Sequence, residues 1–276
     1  MLEAMQAHKH SHPEGLAHDL STLLQRRQAL AWLGAGATVL LGACGGTEDE
    51  ESSSSSSSGT SCSAIPQETA GRYPGDGTNA GAGGSTANAL TQSGIVRSVI
   101  TSSFNGASAT AAGIALTLRL QLVNTANSCA SLAGFAVYLW HCDALGRYSM
   151  YSPAIAGENY LRGVQVSDTA GDVTFTTIFP GCYDGRWPHI HFEVFSSLSA
   201  ATGGNNDIRT SQLALPKAAC SAVYADSRYT GSAANLAGTS LSGDNVFGDG
   251  SSLQLASVTG SNNAGYVATL QLGVAA

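Results

Sequence analysis

His189 and His191 stand two apart within His-Ile-His-Phe-Glu-Val-Phe, a run rich in β-forming residues. Side chains alternate faces along a strand, so both imidazoles project to the same side. Tyr183 lies six residues before His189, across a short turn containing Gly185 and Pro188 that can fold its phenol back over the pair. Fully extended, that separation spans at most about 20 Å, and the turn shortens it. Of the seven histidines, only His141, His189 and His191 lie beyond residue 44, so two of those three form one His-x-His unit. Neutral imidazoles on one strand face suit metal binding; taken alone, the pair is also compatible with strand-surface or core histidines.

Such residues need a scaffold, and the period-two patterns supply it. Ile114, Leu116, Leu118, Leu120 and Leu122 alternate with Ala115, Thr117, Arg119 and Gln121, a pattern that fits a half-buried strand and not a helix. Further strands are expected at 136–141, 163–167, 173–179, 189–195, 211–215, 253–258 and 266–272, with turns at 143–146 and 168–172. Residues 216–224 read as a short helix with Pro216 in its first turn. About eight short strands separated by turn signals predict an all-β fold, a β-sandwich with long loops and at most one or two short helices.

Composition agrees: the 276-residue chain is 43% hydrophobic and 11% charged, with 33 glycines. The net charge of -7 arises entirely beyond Cys44, largely from the acidic run at 48–51. A nucleic-acid partner, which would require a basic face, is excluded.

Residues 1–44 read as a leader and export signal. His8, His10, His12 and His18 lie in a polar leader, followed by Arg26 and Arg27 and by an apolar run over 29–43 that is too short to span a bilayer comfortably. Leu41, Gly42, Ala43 and Cys44 resemble the lipobox of bacterial lipoproteins, and the paired arginines resemble a twin-arginine signal. The expectation is an exported cell-envelope protein, lipid-anchored through Cys44 at the periplasmic or extracytoplasmic face. Residues 45–93, acidic, then serine-rich, then rich in Gly, Ala, Asn and Thr, read as a flexible tether whose segment 65–73 can pack on the domain. The sandwich domain is expected over 94–276. With Cys62 in the tether, disulfide pairing is expected among Cys129, Cys142, Cys182 and Cys220, its connectivity left open.

Four segments in order carry a family resemblance. They are Trp-His-Cys-Asp-Ala-Leu-Gly-Arg-Tyr-Ser at 140–149, Leu-Arg-Gly-Val-Gln-Val-Ser-Asp at 161–168, Phe-Thr-Thr-Ile-Phe-Pro-Gly-Cys-Tyr at 175–183 and Gly-Arg-Trp-Pro-His-Ile-His-Phe at 185–192. Together they resemble the intradiol ring-cleavage dioxygenases, in particular the protocatechuate 3,4-dioxygenase branch, over roughly residues 129–224.

The resemblance implies a non-haem Fe(III) ion held by Tyr148, Tyr183, His189 and His191. Phenolates are hard anionic donors suited to a high-charge metal, whereas zinc more usually takes Cys, His or carboxylate. It further implies that a catechol binds the iron through both oxygens and that Tyr148 takes a substrate proton. O2 then opens the ring between the hydroxyl-bearing carbons to a muconate-type diacid, and no external reductant is consumed. By the same resemblance Arg186 stabilises charge on the ring, and Gln212 stands where the family has a supporting glutamine. His141 reads as supporting or structural, and Trp187 and Tyr151 as pocket lining or core.

Three departures from the family stand out. Only five residues separate Tyr183 from His189, where relatives carry a longer insert, which predicts a more open site. A Gly/Ser-rich tether replaces the helical N-terminal linker of catechol 1,2-dioxygenases, and export departs from a mostly cytoplasmic family. The expected partners are a catecholic small molecule and O2, in aromatic-compound catabolism, with the membrane met only through lipid on Cys44 and a homo-oligomer left open. The competing readings are a non-catalytic metal-binding β-sandwich lipoprotein and a zinc or copper site of hydrolase type.

Overall fold

The structure, a computed structural model, describes residues 62–203 and 207–276. The leader, the paired arginines, Cys44 and the serine run lie outside the described residues. In chain order the strands are β1 (Asp76–Ala80), β2 (Thr86–Asn88), β3 (Ala115–Asn124), β4 (Ala130–Ser131), β5 (Ala136–Trp140) and β6 (Arg162–Val166). They continue with β7 (Asp172–Ile178), β8 (His189–Phe195), β9 (Asp207–Ala214), β10 (Ser257–Ser261) and β11 (Gly265–Val274). The α-helices are α1 (Leu198–Gly203), α2 (Lys217–Val223) and α3 (Ser232–Ala237).

The fold is all-β, as the alternating patterns predict. In β3, Leu116, Leu118, Leu120 and Leu122 are buried while Ala115, Arg119 and Gln121 face outward. One sheet runs β6-β5-β8-β9, and the other runs β10-β11-β3-β4 with β7 also on β3. The β3 leucines join Val137, Leu139, Phe175, Ile190, Phe192 and Leu272 in one apolar cluster drawn from both sheets. Burying these side chains contributes about 1.5–3 kcal/mol each.

Where the structure departs from expectation, the segments are short or joined by distant contacts. β1, β2 and β4 are five, three and two residues long, too brief to display a period. α2 is the expected helix at 216–224, whereas α1 and α3 are six-residue Ala/Ser-rich turns of helix, which bring the described α-helices to three. The strand expected at 253–258 begins at Ser257. Residues 254–256 instead hydrogen-bond across Ala214, which donates to Gln254 O at 2.8 Å and accepts from Ala256 at 3.0 Å.

The domain boundary expected at residue 94 is corrected. Residues 62–93 are part of the folded domain: Ile65, Ala87, Ala89 and Leu90 are buried, and β1 pairs with β2. The disulfide expectation is corrected as well. Cys62 pairs with Cys129, and Cys142, Cys182 and Cys220 are buried free thiols. Their thiols donate to carbonyls, Cys142 to Gly181 O at 3.4 Å and Cys182 to Arg186 O at 3.5 Å, and so behave as small core residues. Among the described residues no helix is long and apolar enough to cross a membrane.

Candidate metal centre

In β8 every residue is buried, although a sandwich strand ordinarily buries one face. Ile190, Phe192 and Val194 enter the inter-sheet core, while Phe195 belongs to a second apolar cluster with Tyr138, Trp140 and Tyr148. His189 and His191 therefore lie on the outer face of the sheet, beneath a second layer of loops. Strand register sets Arg162, Trp140, His191 and Gln212 side by side across β6, β5, β8 and β9. The Trp140 ring stacks on His191 with centroids 4.9 Å apart and planes within 6°, which holds the imidazole plane.

Two turns bring in the tyrosines. After β5, Asp143 Oδ1 accepts from the backbone of Leu145 and Arg147, and Oδ2 accepts from the Arg147 guanidinium at 2.7 and 2.8 Å, closing the turn that presents Tyr148. Gly146 has φ +76°, and a Cβ there would stand 2.9 Å from the Tyr183 Cβ. Only glycine allows the two turns to approach this closely. Gly181 N donates to Asp143 O at 3.0 Å, joining the turns directly.

The four side chains converge. A carbonyl only accepts, so the contact of His189 Nδ1 with Trp187 O places the proton on Nδ1 and leaves Nε2 a bare lone pair. Around that lone pair lie His191 Nε2 at 3.0 Å, Tyr183 Oη at 3.1 Å and Tyr148 Oη at 3.4 Å. One lone pair accepts one good hydrogen bond, so three polar neighbours exceed what hydrogen bonding uses. Donors sharing one ion at about 2.1 Å, with angles of about 90–110°, would lie about 3.0–3.4 Å apart. The four atoms thus fit a shared cation. Among the described residues no group of three or more His, Cys, Asp or Glu side chains gathers as a metal site.

Burial governs the electrostatics. It pushes the Tyr183 phenol up to about 12, against the pull of Arg186, and the Tyr148 phenol well above its ordinary value. It drives His189 down to about 3, with Arg186 adding to the effect, and His191 well below the ordinary range, with His189 adding. Neutral imidazoles are ready to ligate, whereas the phenols would ionise only against a strong positive charge.

Arg186 is held from two sides. Its Nε donates to Asp244 Oδ2 at 2.9 Å and its Nη2 to Gln212 Oε1 at 2.7 Å, while Gln212 Nε2 donates to Thr69 O at 2.9 Å. His141 contacts Cys142 O at 2.8 Å and Thr177 Oγ1 at 2.7 Å, so both ring nitrogens are engaged structurally. Trp187 is core, its indole donating to Leu215 O at 2.9 Å. Tyr151 is half-buried and accepts from Gly75 N at 2.8 Å.

Residues 69–73 pack over His191 and Tyr148, while Asp184 and Gly185 in the short connection are exposed. A Cβ on Gly71, at φ +76°, would stand 3.1 Å from His191 Cε1, and the Tyr73 ring lies 4.9 Å from that of Tyr148. Arg162, 1% exposed, pins this strap: it donates to Pro74 O, to Tyr73 O at 2.9 Å and to Ser149 O at 3.0 Å. Sequence reasoning missed the roles of Arg162, Trp140 and Asp244, and it let residues 65–73 pack on the domain without placing them at the site. The predicted strands contain the first two, but only sheet order and register bring them to His191.

Known proteins agree with this architecture. The family model described as Dioxygenase matches residues 98–202, a span that includes Tyr148, Tyr183, Arg186, His189 and His191. No curated protein matches the chain by sequence. Among solved structures, an intradiol ring-cleavage dioxygenase from Tetranychus urticae is similar at 24% identity and a TM-score of 0.57, covering 78% of this chain and 95% of its own. A second dioxygenase crystal structure is similar at 24% identity and a TM-score of 0.55, covering 71% and 92%. The chain is thus similar to the dioxygenases over residues 98–202 and shares the fold of an intradiol ring-cleavage dioxygenase.

Proposed function

We propose that Tyr148, Tyr183, His189 and His191 hold a non-haem ferric ion and that the protein uses O2 to cleave a catecholic ring between its hydroxyl-bearing carbons, giving a muconate-type diacid. The observation that carries this reading is the convergence of two phenol oxygens and His191 Nε2 on the bare Nε2 of His189. When bound, ferric iron supplies a Lewis acid that stabilises the catecholate dianion and draws electron density from the ring.

The chain's own residues do the rest. Burial gives Tyr148 Oη a high proton affinity, so as a phenolate it is a strong base for a substrate hydroxyl proton. Arg186, its side chain 14% exposed, is a fixed cation beside Tyr183 that stabilises negative charge on the ring. Trp140 fixes the plane of His191, and Tyr73 with Gly71 keeps water from Tyr148 and His191. Half-buried Tyr183 and Arg186 border the side from which a ring approaches.

The test is the visible spectrum of iron-loaded protein together with O2 uptake across a panel of catechols. The expected result is a tyrosinate-to-iron charge-transfer colour and one O2 consumed per catechol without reductant. A protein that stays colourless and iron-free after reconstitution would overturn the reading. The near-complete burial of Tyr148, His189 and His191, at 1%, 2% and 3% exposure, also suits a non-catalytic metal centre. That second reading predicts the colour with no O2 uptake.

We also propose that the domain works outside the cytoplasm, anchored through lipid on Cys44. The Cys62–Cys129 disulfide supports an oxidising compartment. Mass analysis of the mature N-terminus tests this, and an unmodified Cys44 in a cytosolic fraction would overturn it.

A further inference from the structure

We infer that Asp244 is a positioning residue for the reaction: its buried carboxylate locks the Arg186 guanidinium in one orientation at the metal centre. Asp244 lies beyond the matched residues 98–202, in the excursion between α3 and β10. This assignment rests on the dioxygenase reading above.

The geometry is that of a saturated carboxylate. Oδ2 accepts from Arg186 Nε at 2.9 Å and from the Trp187 backbone at 2.7 Å. Oδ1 accepts from the backbone of Val246 at 2.9 Å and of Phe247 at 3.2 Å. The side chain is 0% exposed, so each of these four donors depends on it. An asparagine in its place has one acceptor oxygen, so one pair of donors would face an NH2 group.

Arg186 is gripped at two of its three nitrogens, Nε by Asp244 and Nη2 by Gln212, from separate elements. Its Nη1 makes no hydrogen bond among the described residues, and its charge is felt by Tyr183, Tyr148 and His189. The same carboxylate holds the backbone of Trp187, whose carbonyl accepts the hydrogen bond from His189 Nδ1–H. Asp244 thus holds the cation by its side chain and braces the turn into the ligand strand. Without it a mostly buried guanidinium keeps one neutral partner and loses the carboxylate that pairs with it, which favours rotation towards solvent.

The experiment is a double-mutant cycle read by kcat, KM and visible spectrum in iron-loaded protein, with a metal-free NMR readout beside it. Asp244→Asn should lower kcat by about 10–100-fold, as expected for a misplaced charge-stabilising group, with a smaller change in KM and a shifted charge-transfer band. In an Arg186→Gln background the same substitution should cost less than about threefold, because the guanidinium is already gone and only the brace on the Trp187 backbone is left to lose. In the metal-free protein the Arg186 Nε–H resonance should be resolved and slow to exchange in the wild type and lost in Asp244→Asn. Should Asp244→Asn fail to fold, Asp244→Glu keeps the charge and all acceptors but displaces them by one methylene, and the same cycle applies. Equal fold-losses in both backgrounds, or an unchanged Arg186 resonance, would overturn the assignment. Wild-type protein that takes up no O2 while keeping the protected resonance would instead sink the dioxygenase reading.

Discussion

Residues 181–195 and residues 62–76 lie on two sides of one site and are held in opposite ways. The first stretch ends in a seven-residue strand paired on both edges, its inner face in the sandwich core. The second has no strand before β1 and is held by separate contacts: the Cys62–Cys129 bond, Ile65 N to Gly273 O at 2.9 Å, Glu68 N to Thr210 O at 2.8 Å, and the carbonyls of Thr69, Tyr73 and Pro74. The difference teaches how this site divides its labour. Regular structure places the histidines, where a register slip would turn them to the other face, and individual bonds place the roof.

The largest effect is expected on the strand side. Tyr183→Phe removes a phenol oxygen from the cluster, so the colour of iron-loaded protein should vanish or shift strongly and O2 uptake should fall by about 10³-fold or more. An unchanged spectrum would show that Tyr183 is no ligand. On the strap side, Cys62→Ser opens a link across a sequence separation of 67 residues. It should lower stability by about 4 kcal/mol, read by denaturant unfolding, with residues 62–76 losing hydrogen-exchange protection before β8 does.

Acid should attack the opposite side, since the described histidines lie in β8 or at the end of β5 and none lies in the strap. Burial pushes His141 down to about 4 from an ordinary value of about 6.5. Between those values the unfolded chain binds a proton that the folded chain refuses, so stability is full above about pH 6.5 and declines towards pH 4. His141 alone should account for a loss on the order of 3 kcal/mol in metal-free protein; His189 and His191, also held down by burial, add to it, so His141→Gln should reduce the acid loss without abolishing it. The smallest effect is expected at Gly71, where Gly71→Ala strains a positive φ and crowds His191 Cε1. It should cost about 1 kcal/mol and shift the charge-transfer band slightly; an unmoved band would mean that the strap does not press on the ligand.

Legibility in the sequence follows the same division. β3 and β7 were readable because alternation over seven or more residues is a local signal, and β5 and β8 because they are short runs of β-forming residues. Tyr183, His189 and His191 were readable because they lie only six and two positions apart. That residues 65–73 can pack on the domain was readable, but their place over the site was not, because their composition is that of a flexible tether and what orders them comes from Cys129, Tyr138, Arg162 and Thr210. The free thiols were misjudged for a related reason: whether two cysteines pair depends on the distance between their Cα atoms, which spacing along the chain does not contain.

By itself the sequence determined the all-β class, the shared face of the two histidines and the ordered motifs of the family, since each depends on short-range spacing. Only the tertiary structure decided that Tyr148 and Tyr183 meet at His189, that Asp244 grips Arg186 from 58 residues away, and that residues 69–73 pack over Tyr148 and His191. Those contacts are fixed by strand order, cross-strand register and one disulfide, all of which exist only once distant parts of the chain are packed together.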